Sequence, residues 1–352
     1  MYLDIDVQEA LNRAEAGIPL VDLRSHGEYV EATIPGAYNI PLLDNVERSL
    51  VGITHKKEGA ERARELAMEI LSPRLPYFIY AFKQLAAPGK EVVIFCWRGG
   101  ERSHFAGCLL DAMGFKVYRI RGGYKAYRRY VLAYLDREIL PHRAVVVYGL
   151  TGVGKTDILQ ELKRRGYPVL DLETLAAHRG SVFGKIGQPP SPSQKMFEAL
   201  IERELRIAEN RGFFLVECES KRLGKLLVPD LLLNTMQNGY RILLYASLQA
   251  RVDRIMRDYA AGPDNNKTAL QEAVVRLTKY LGKSKVAELN GWLERGLVSR
   301  VVEYLLLHYY DPLYKYPGGP SSRYHLSVNT ENLQKAVKEI TDFINRLPEY
   351  RR

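Results

Sequence analysis

Cysteine is scarce in this chain: Cys96, Cys108 and Cys218 are the only three among 352 residues. So few and so scattered, they exclude a disulfide framework or a cysteine-rich zinc site and imply a reducing, cytoplasmic setting. Long apolar runs are missing as well. No stretch reaches the ~18 uninterrupted apolar residues of a spanning helix. The opening MYLDIDVQEA carries acids where a secretory leader has an apolar core. The expectation is a soluble protein with no membrane partner. No internal repeat of fixed period and no low-complexity tract occurs. What is present is ordinary globular composition, 46% hydrophobic and 26% charged, which excludes a wholly disordered or fibrous chain. Lys and Arg number 51 against 41 Asp and Glu, a net charge of +10. That excess suits a polyanionic partner such as nucleic acid, and equally a merely basic enzyme.

At roughly 100–200 residues per domain, the length predicts two domains. Short apolar runs at 19–23 and 91–96 flank a turn-rich stretch and a helical segment near 58–71. A second series of strands follows at 144–148, 168–172, 213–216 and 241–246. Strands alternating with helices predict parallel α/β sheets in both halves. The Tyr- and Arg-rich stretch YKAYRRYVLAYLDREIL runs into Pro141, which places the join near 140 and the domains at 1–140 and 141–352. Beyond 246 the pattern turns largely helical. Ser247 reads as an N-cap, and Leu248, Val252, Ile255, Met256 and Tyr259 share one helical face. A loop at GPDNN, helices near 268–281, 284–295 and 298–310, a strand at 324–328 and a closing helix complete the reading.

The sharpest local signal is Gly149-Leu-Thr-Gly-Val-Gly-Lys155-Thr156, which fits G-x-x-x-x-G-K-[ST] directly after the apolar strand AVVVY and before a helical run. Backbone amides of Gly149, Thr151, Gly152, Val153 and Gly154 converge on phosphate oxygens in such a loop. Lys155 adds a point charge, and Thr156 is a candidate Mg²⁺ ligand. The cradle recognises a diphosphate or triphosphate and leaves the rest of the ligand open. The strand Phe213-Phe-Leu-Val-Glu217 ends in a carboxylate, with Glu219 two residues on. Both are candidates to hold Mg²⁺ or water, with a solvated strand end as the alternative. Arg251, Arg254 and Arg257, three apart on a helix, read either as a clamp over phosphates or as a solvated face.

A second anion cradle follows the strand EVVIF: Cys96-Trp97-Arg98-Gly99-Gly100-Glu101-Arg102-Ser103. Loop amides, the helix dipole and the guanidiniums of Arg98 and Arg102 favour a thiolate at Cys96 and an anion beside it, which makes Cys96 a candidate nucleophile. Cys108, among Leu109 and Leu110, reads as core, and Cys218 as structural. Lys125, Arg128 and Arg129, interleaved with Tyr124, Tyr127 and Tyr130 beside the domain join, offer charge for nucleic-acid phosphates and rings for an unstacked base; a packing face between elements is the alternative. Tyr309, Tyr310, Tyr314 and Tyr316 form another aromatic cluster, either packing or an apolar trough. Gln194, Phe197 and Glu198 read as neighbours of the diphosphate, although Phe197 also fits an apolar face with Leu200, Ile201 and Leu205.

Val21-Asp22-Leu23-Arg24, His26-Gly27-Glu28-Tyr29, Ile34-Pro35-Gly36-Ala37-Tyr38-Asn39-Ile40-Pro41 and the Cys96 loop occur in the order that resembles a rhodanese domain over about residues 4–125. The resemblance implies that Cys96 carries sulfur or selenium. Its Cys-x5-Arg loop is one residue longer than the usual sulfurtransferase loop and matches phosphatase relatives of the fold. A rhodanese domain joined to a P-loop domain is similar to the tRNA 2-selenouridine synthases over essentially the full length. Leu170-Asp-Leu-Glu173, His178-Arg-Gly-Ser-x-Phe-Gly184, Gln194-x-x-Phe197-Glu198 and Val216-Glu-x-Glu-Ser220 add to the likeness, with Cys218 a departure where an acid is expected.

That resemblance implies conversion of wobble 2-thiouridine in tRNA to 2-selenouridine through an S-geranyl intermediate. The co-substrates would be geranyl diphosphate and selenophosphate, with no cofactor firmly implied. Selenophosphate would lie on Cys96, Trp97, Arg98, Gly99, Gly100, Glu101 and Arg102, and Lys155 would serve geranyl transfer. Two other readings stand beside it: a P-loop kinase or nucleotidase with a rhodanese-like phosphatase or regulatory domain, and a non-catalytic RNA-binding protein.

Overall fold

The computed structural model describes residues 2–86, 90–178, 189–260 and 265–350. By contact the chain divides into two units, Met1–Asp136 with Pro192–Leu200, and Arg137–Ser191 with Ile201–Arg352.

The first unit holds a parallel sheet of β1 (Leu3–Ile5), β2 (Leu20–Asp22), β3 (Tyr38–Asn39), β4 (Glu91–Phe95) and β5 (Lys116–Ile120), in the order β1-β5-β4-β2-β3. A parallel strand covered on both faces needs an unbroken apolar run, and Val92 to Phe95 of β4 are fully buried. The two-residue period sends Val93 and Phe95 into one core with Tyr118, Tyr124 and Tyr127, and Val92 and Ile94 into another with Phe82 and Leu110. Asp22 and Arg24 form a buried ion pair at 2.6 Å. Thr33 Oγ1 also donates to Asp22, and Arg24 donates to the Ala32 carbonyl, so neither charge lacks partners.

Four helices here escaped the sequence pattern, Val7–Glu15, His26–Glu31 in the stretch read as turn-rich, Asn45–Glu58 and Leu75–Leu85. The predicted helix near 58–71 is Ala60–Leu71, parted from the preceding helix by Gly59 at φ 97. Asp44 and Glu47 make a reciprocal capping box, the one local signal that marks the earlier helix.

The second unit holds β6 (Arg143–Tyr148), β7 (Val169–Leu170), β8 (Phe213–Glu217), a small antiparallel hairpin of β9 (Arg222–Leu223) and β10 (Leu226–Leu227), then β11 (Tyr240–Tyr245) and β12 (Leu326–Asn329). Its parallel sheet runs β12-β11-β6-β8-β7. From β6 the chain builds first toward β8 and β7, later toward β11 and β12. The C-terminal end of β6 is therefore a switch point, where ligands of such sheets bind. Between β11 and β12 lie the helices of the C-terminal part, with a core of their own around Val274, Leu277, Leu289, Leu293 and Leu305. Val252 is buried there, with Leu248, Ile255 and Met256 packed beside it. The side chain of Tyr259 and loop residues 262–264 lie outside the described residues, and Asn265 and Asn266 open the helix Asn265–Arg276 rather than belonging to a loop.

Candidate functional site

The phosphate loop leaves the C-terminal end of β6 and enters the helix Lys155–Arg164. Gly152 and Gly154 take φ of 82° and 86°, a left-handed backbone that glycine adopts without strain. A Cβ on Gly149 would meet the Leu244 carbonyl oxygen at 2.5 Å. Lys155 Nζ donates to the Gly149 carbonyl at 3.0 Å and lies 3.4 Å from Glu217 Oε1. Register explains that pairing: β6 and β8 run parallel with Val147 opposite Glu217. A cavity of about 620 Å³ lies over the loop, lined by Gly149, Thr151, Gly152, Gly154, Lys155 and Thr156 together with Glu173, Glu217 and Glu219. Val153 is buried in the core beneath.

Carboxylate oxygens of Glu173, Glu217 and Glu219 lie within 4.8 Å of one another. Burial raises the pKa of Glu217, and Lys155 only partly offsets it. Burial first, then the charges of Glu217 and Glu173, push Glu219 up to about 8. Three hard oxygen donors beside a phosphate cradle are the donor set that Mg²⁺ prefers. Glu173 belongs to the site although its pattern alone pointed nowhere; Asp171 caps the short helix Leu172–Ala176 that presents it.

The arginine triplet divides by role. Arg251 is 4% exposed, grips Asp311 with both terminal nitrogens and donates to the Thr151 carbonyl at 2.8 Å. It braces the loop and does not clamp phosphate. Arg254 lines the cavity and bonds the Gly152 carbonyl, and Arg257 is exposed. Thr330, unforeseen from sequence, is fully buried and donates to the Val153 carbonyl at 2.6 Å.

In the first unit Cys96 directly follows β4 and is 3% exposed, with its thiol 3.2 Å from Ser103 Oγ. Gly99 adopts φ 66 and Gly100 opens the helix Glu101–Ala112. Trp97 packs against Tyr124, and Arg98 and Glu101 are exposed. Arg102 donates to Glu28 Oε2 at 2.9 Å. Burial would raise the Glu28 carboxyl, but Arg102 and the Ser25 donors outweigh it and hold the group below its usual range. The loop is fastened from behind by Gly122 and Gly123, which sequence reasoning missed: Tyr124 N–H donates to the Cys96 carbonyl at 2.8 Å and Lys125 N–H to the Trp97 carbonyl at 2.9 Å. The adjacent glycines before a helix were the available signal.

A family profile described as the tRNA 2-selenouridine synthase AAA domain matches residues 142–344, and a rhodanese-like domain profile matches 6–130. Proteins named tRNA 2-selenouridine synthase are similar along most of their length. That of Nitrosomonas eutropha is 33% identical, covering 88% of this chain and 91% of its own. That of Nitrosomonas europaea is 34% identical over 88% and 92%. That of Bdellovibrio bacteriovorus is 30% identical over 92% and 94%. The chain belongs to the tRNA 2-selenouridine synthase family.

Several expectations for this synthase-family chain need correction. Tyr124 and Tyr127 are 2% and 1% exposed, so their rings serve the core and offer no platform to a base. Arg128 is ion-paired with Glu198, whereas Lys125 and Arg129 are exposed. Gln194 also donates to Glu198 and Phe197 is fully buried; none of the three lines the cavity over the phosphate loop. Cys108 is exposed, not core. Its helix buries Ser103, Ala106, Gly107 and Leu110, a face that Cys108 misses. Tyr310 is buried in the helical core and Tyr309 packs against it, leaving Tyr314 and Tyr316 at the cavity. Residues 179–184 of the His178 motif lie outside the described residues, while His178 itself lines the cavity. Among the described residues no helix is long and apolar enough to cross a membrane.

Proposed function

We propose that this chain is a transferase that replaces the sulfur of wobble 2-thiouridine in tRNA by selenium in two steps, geranylation and then selenation. The observation that carries the reading is the presence in one chain of two anion cradles of different chemistry: an amide loop with Lys155 beside three carboxylates, and a cysteine loop with an exposed arginine. Two anionic reagents, geranyl diphosphate and selenophosphate, need two such places.

In the first step the thiocarbonyl sulfur attacks C1 of the geranyl group, the C–O bond breaks, diphosphate departs and the base loses its N3 proton. Negative charge grows on the leaving group, where loop amides and Lys155 stabilise it. Thr156 and the carboxylates of Glu173, Glu217 and Glu219 would hold a Mg²⁺ that adds to that neutralisation. Because Lys155 rests on the Gly149 carbonyl and near Glu217, a bound diphosphate takes over an ammonium already aimed at the loop.

For the second step selenophosphate occupies the Cys96 loop, its oxygens on loop amides and Arg98, with the Cys96 thiol facing its selenium and holding it for attack on the base. Arg102 stays on Glu28, so Arg98 is the guanidinium open to the anion. Selenium then adds at C2, geranethiolate leaves, and the phosphoryl group passes to water. Exposed Lys125 and Arg129 supply contacts to tRNA phosphates.

The test is nucleoside analysis of a thiolated tRNA incubated with the protein. Geranyl diphosphate alone yields S-geranyl-2-thiouridine, and later addition of selenophosphate converts it to 2-selenouridine. Rapid ATP turnover with an unaltered tRNA would contradict the proposal and favour a P-loop kinase or nucleotidase.

A further inference from the structure

The helical part between β11 and β12 carries a patch of rings and cations that neither cradle uses. Two of its helices, Lys283–Glu294 and Val298–Leu305, pack by their inner faces, where Leu289, Leu293, Val301 and Leu305 are buried. Their outer faces meet at Trp292 and Tyr304, both half-buried, with ring centroids 6.3 Å apart and planes at 81°. Cations cover the two rings: the Arg300 guanidinium lies 5.2 Å from the Trp292 centroid and Lys285 Nζ 4.8 Å from that of Tyr304. Beyond Leu305 the chain widens into a π-turn, Leu306–Tyr310, a rare form found frequently at functional sites. The His308 ring there lies against Tyr304, with centroids 4.4 Å apart and planes at 35°. Arg300 and His308 are exposed, so each of these flat groups has one face on a ring and the other toward solvent.

Helical spacing makes the patch continuous, with Arg300, Tyr304 and His308 four residues apart on one face. Across residues 279–308 five Lys and Arg stand against three Glu, of which Glu288 is paired with Lys285 at 2.6 Å. The centre of a protein interface is depleted of charge, and a nucleic-acid duplex asks for cations without rings. Rings and planar cations side by side fit an unpaired nucleotide, which brings a flat base and a phosphate together. We propose that Arg300 and His308, backed by Trp292 and Tyr304, stack unpaired bases of the tRNA beside the base that reacts. They supply the platform that the buried Tyr124 and Tyr127 do not. The π-turn runs directly into the helix Asp311–Tyr314, whose Leu313 and Tyr314 line the cavity over the phosphate loop. A strand held at His308 therefore lies one short helix from that cavity. The inference rests on tRNA as the substrate and on nothing about the reagents that modify it.

Equilibrium binding to the full-length protein tests this with three probes: a thiolated tRNA, its anticodon stem-loop, and the same stem closed into a blunt duplex. The proteins compared are wild type, Arg300→Ala, Arg300→Lys and His308→Ala, all changed at exposed positions, and their thermal melts should coincide. Wild type is expected to bind the tRNA and the stem-loop more tightly than the duplex. Each variant should lose about tenfold on the first two, the scale of one base stack, with the duplex unchanged. Arg300→Lys keeps the charge and loses the plane, so it should lose as much as Arg300→Ala. Wild-type affinity in Arg300→Lys beside a loss in Arg300→Ala, or an equal loss on the duplex, would make the contact one of charge with phosphate and overturn the stacking. If wild type prefers the tRNA and every variant binds it equally well, the face belongs to another occupant while the tRNA reading stands. If wild type holds the tRNA no more tightly than the duplex, the tRNA reading fails and the face with it.

Discussion

At the scale of single residues, Glu219 shows what the fold does to a side chain that sequence can only name. A glutamate two positions past a strand end is unremarkable by pattern, yet burial and two neighbouring carboxylates raise it from 4.5 to about 8. The folded state therefore binds a proton that the unfolded chain releases near pH 4.5. The resulting penalty grows as pH rises from about 4.5 to about 8 and is constant above. Thermal melts across pH are expected to show Glu219→Gln more stable than the parent at pH 9 and nearly equal to it at pH 4; an unchanged difference across that range would contradict the assignment. His142 titrates with the opposite consequence. It is 3% exposed, neither ring nitrogen has a hydrogen-bond partner among the described residues, and burial lowers it from 6.5 to about 4. Its contribution is lost as pH falls through that window, so His142→Leu is expected to shift the acid-unfolding midpoint, followed by circular dichroism, to lower pH.

At the scale of elements, the legible parts were those whose local physics is strong. The apolar runs EVVIF and AVVVY became β4 and β6 because strands buried on both faces need no alternation, and the glycine pattern placed the phosphate loop directly after β6. Contacts that depend on register or on a remote segment were not legible. Glu173 joins Glu217 and Glu219 only because β7 lies beside β8, and Arg251 is a brace only because Asp311 returns to it 60 residues later. The tyrosines of the helix Gly123–Leu135 had the spacing of a packing face, and packing is what Tyr124 and Tyr127 do. Gly123 belongs to this scale. Its φ is 57°, and a Cβ there would collide with the Cys96 carbonyl and approach the Gly99 nitrogen to 2.6 Å. Gly123→Ala is expected to displace the cysteine loop and to lower selenation by about a hundredfold, the cost of misplacing reacting groups by about an ångström. Geranylation in the same nucleoside assay should be unchanged.

For the whole molecule, the net charge of +10 acquires meaning through where exposed cations sit. With Arg128 paired to Glu198, Lys125 and Arg129 are the members of that basic segment open to phosphate. Replacing either by alanine is expected to weaken tRNA binding and to reduce the slope of log affinity against log salt by about one. Unaltered slopes in both variants would place the RNA elsewhere. The central claim, two anionic reagents handled in sequence by separate cradles, is tested most directly by nucleoside mass analysis of thiolated tRNA after incubation with both reagents and either Cys96→Ser or Lys155→Ala. Cys96→Ser should accumulate S-geranyl-2-thiouridine without selenium, and Lys155→Ala should leave 2-thiouridine largely untouched. Full selenation by Cys96→Ser, or geranylation at the wild-type rate by Lys155→Ala, would contradict the account.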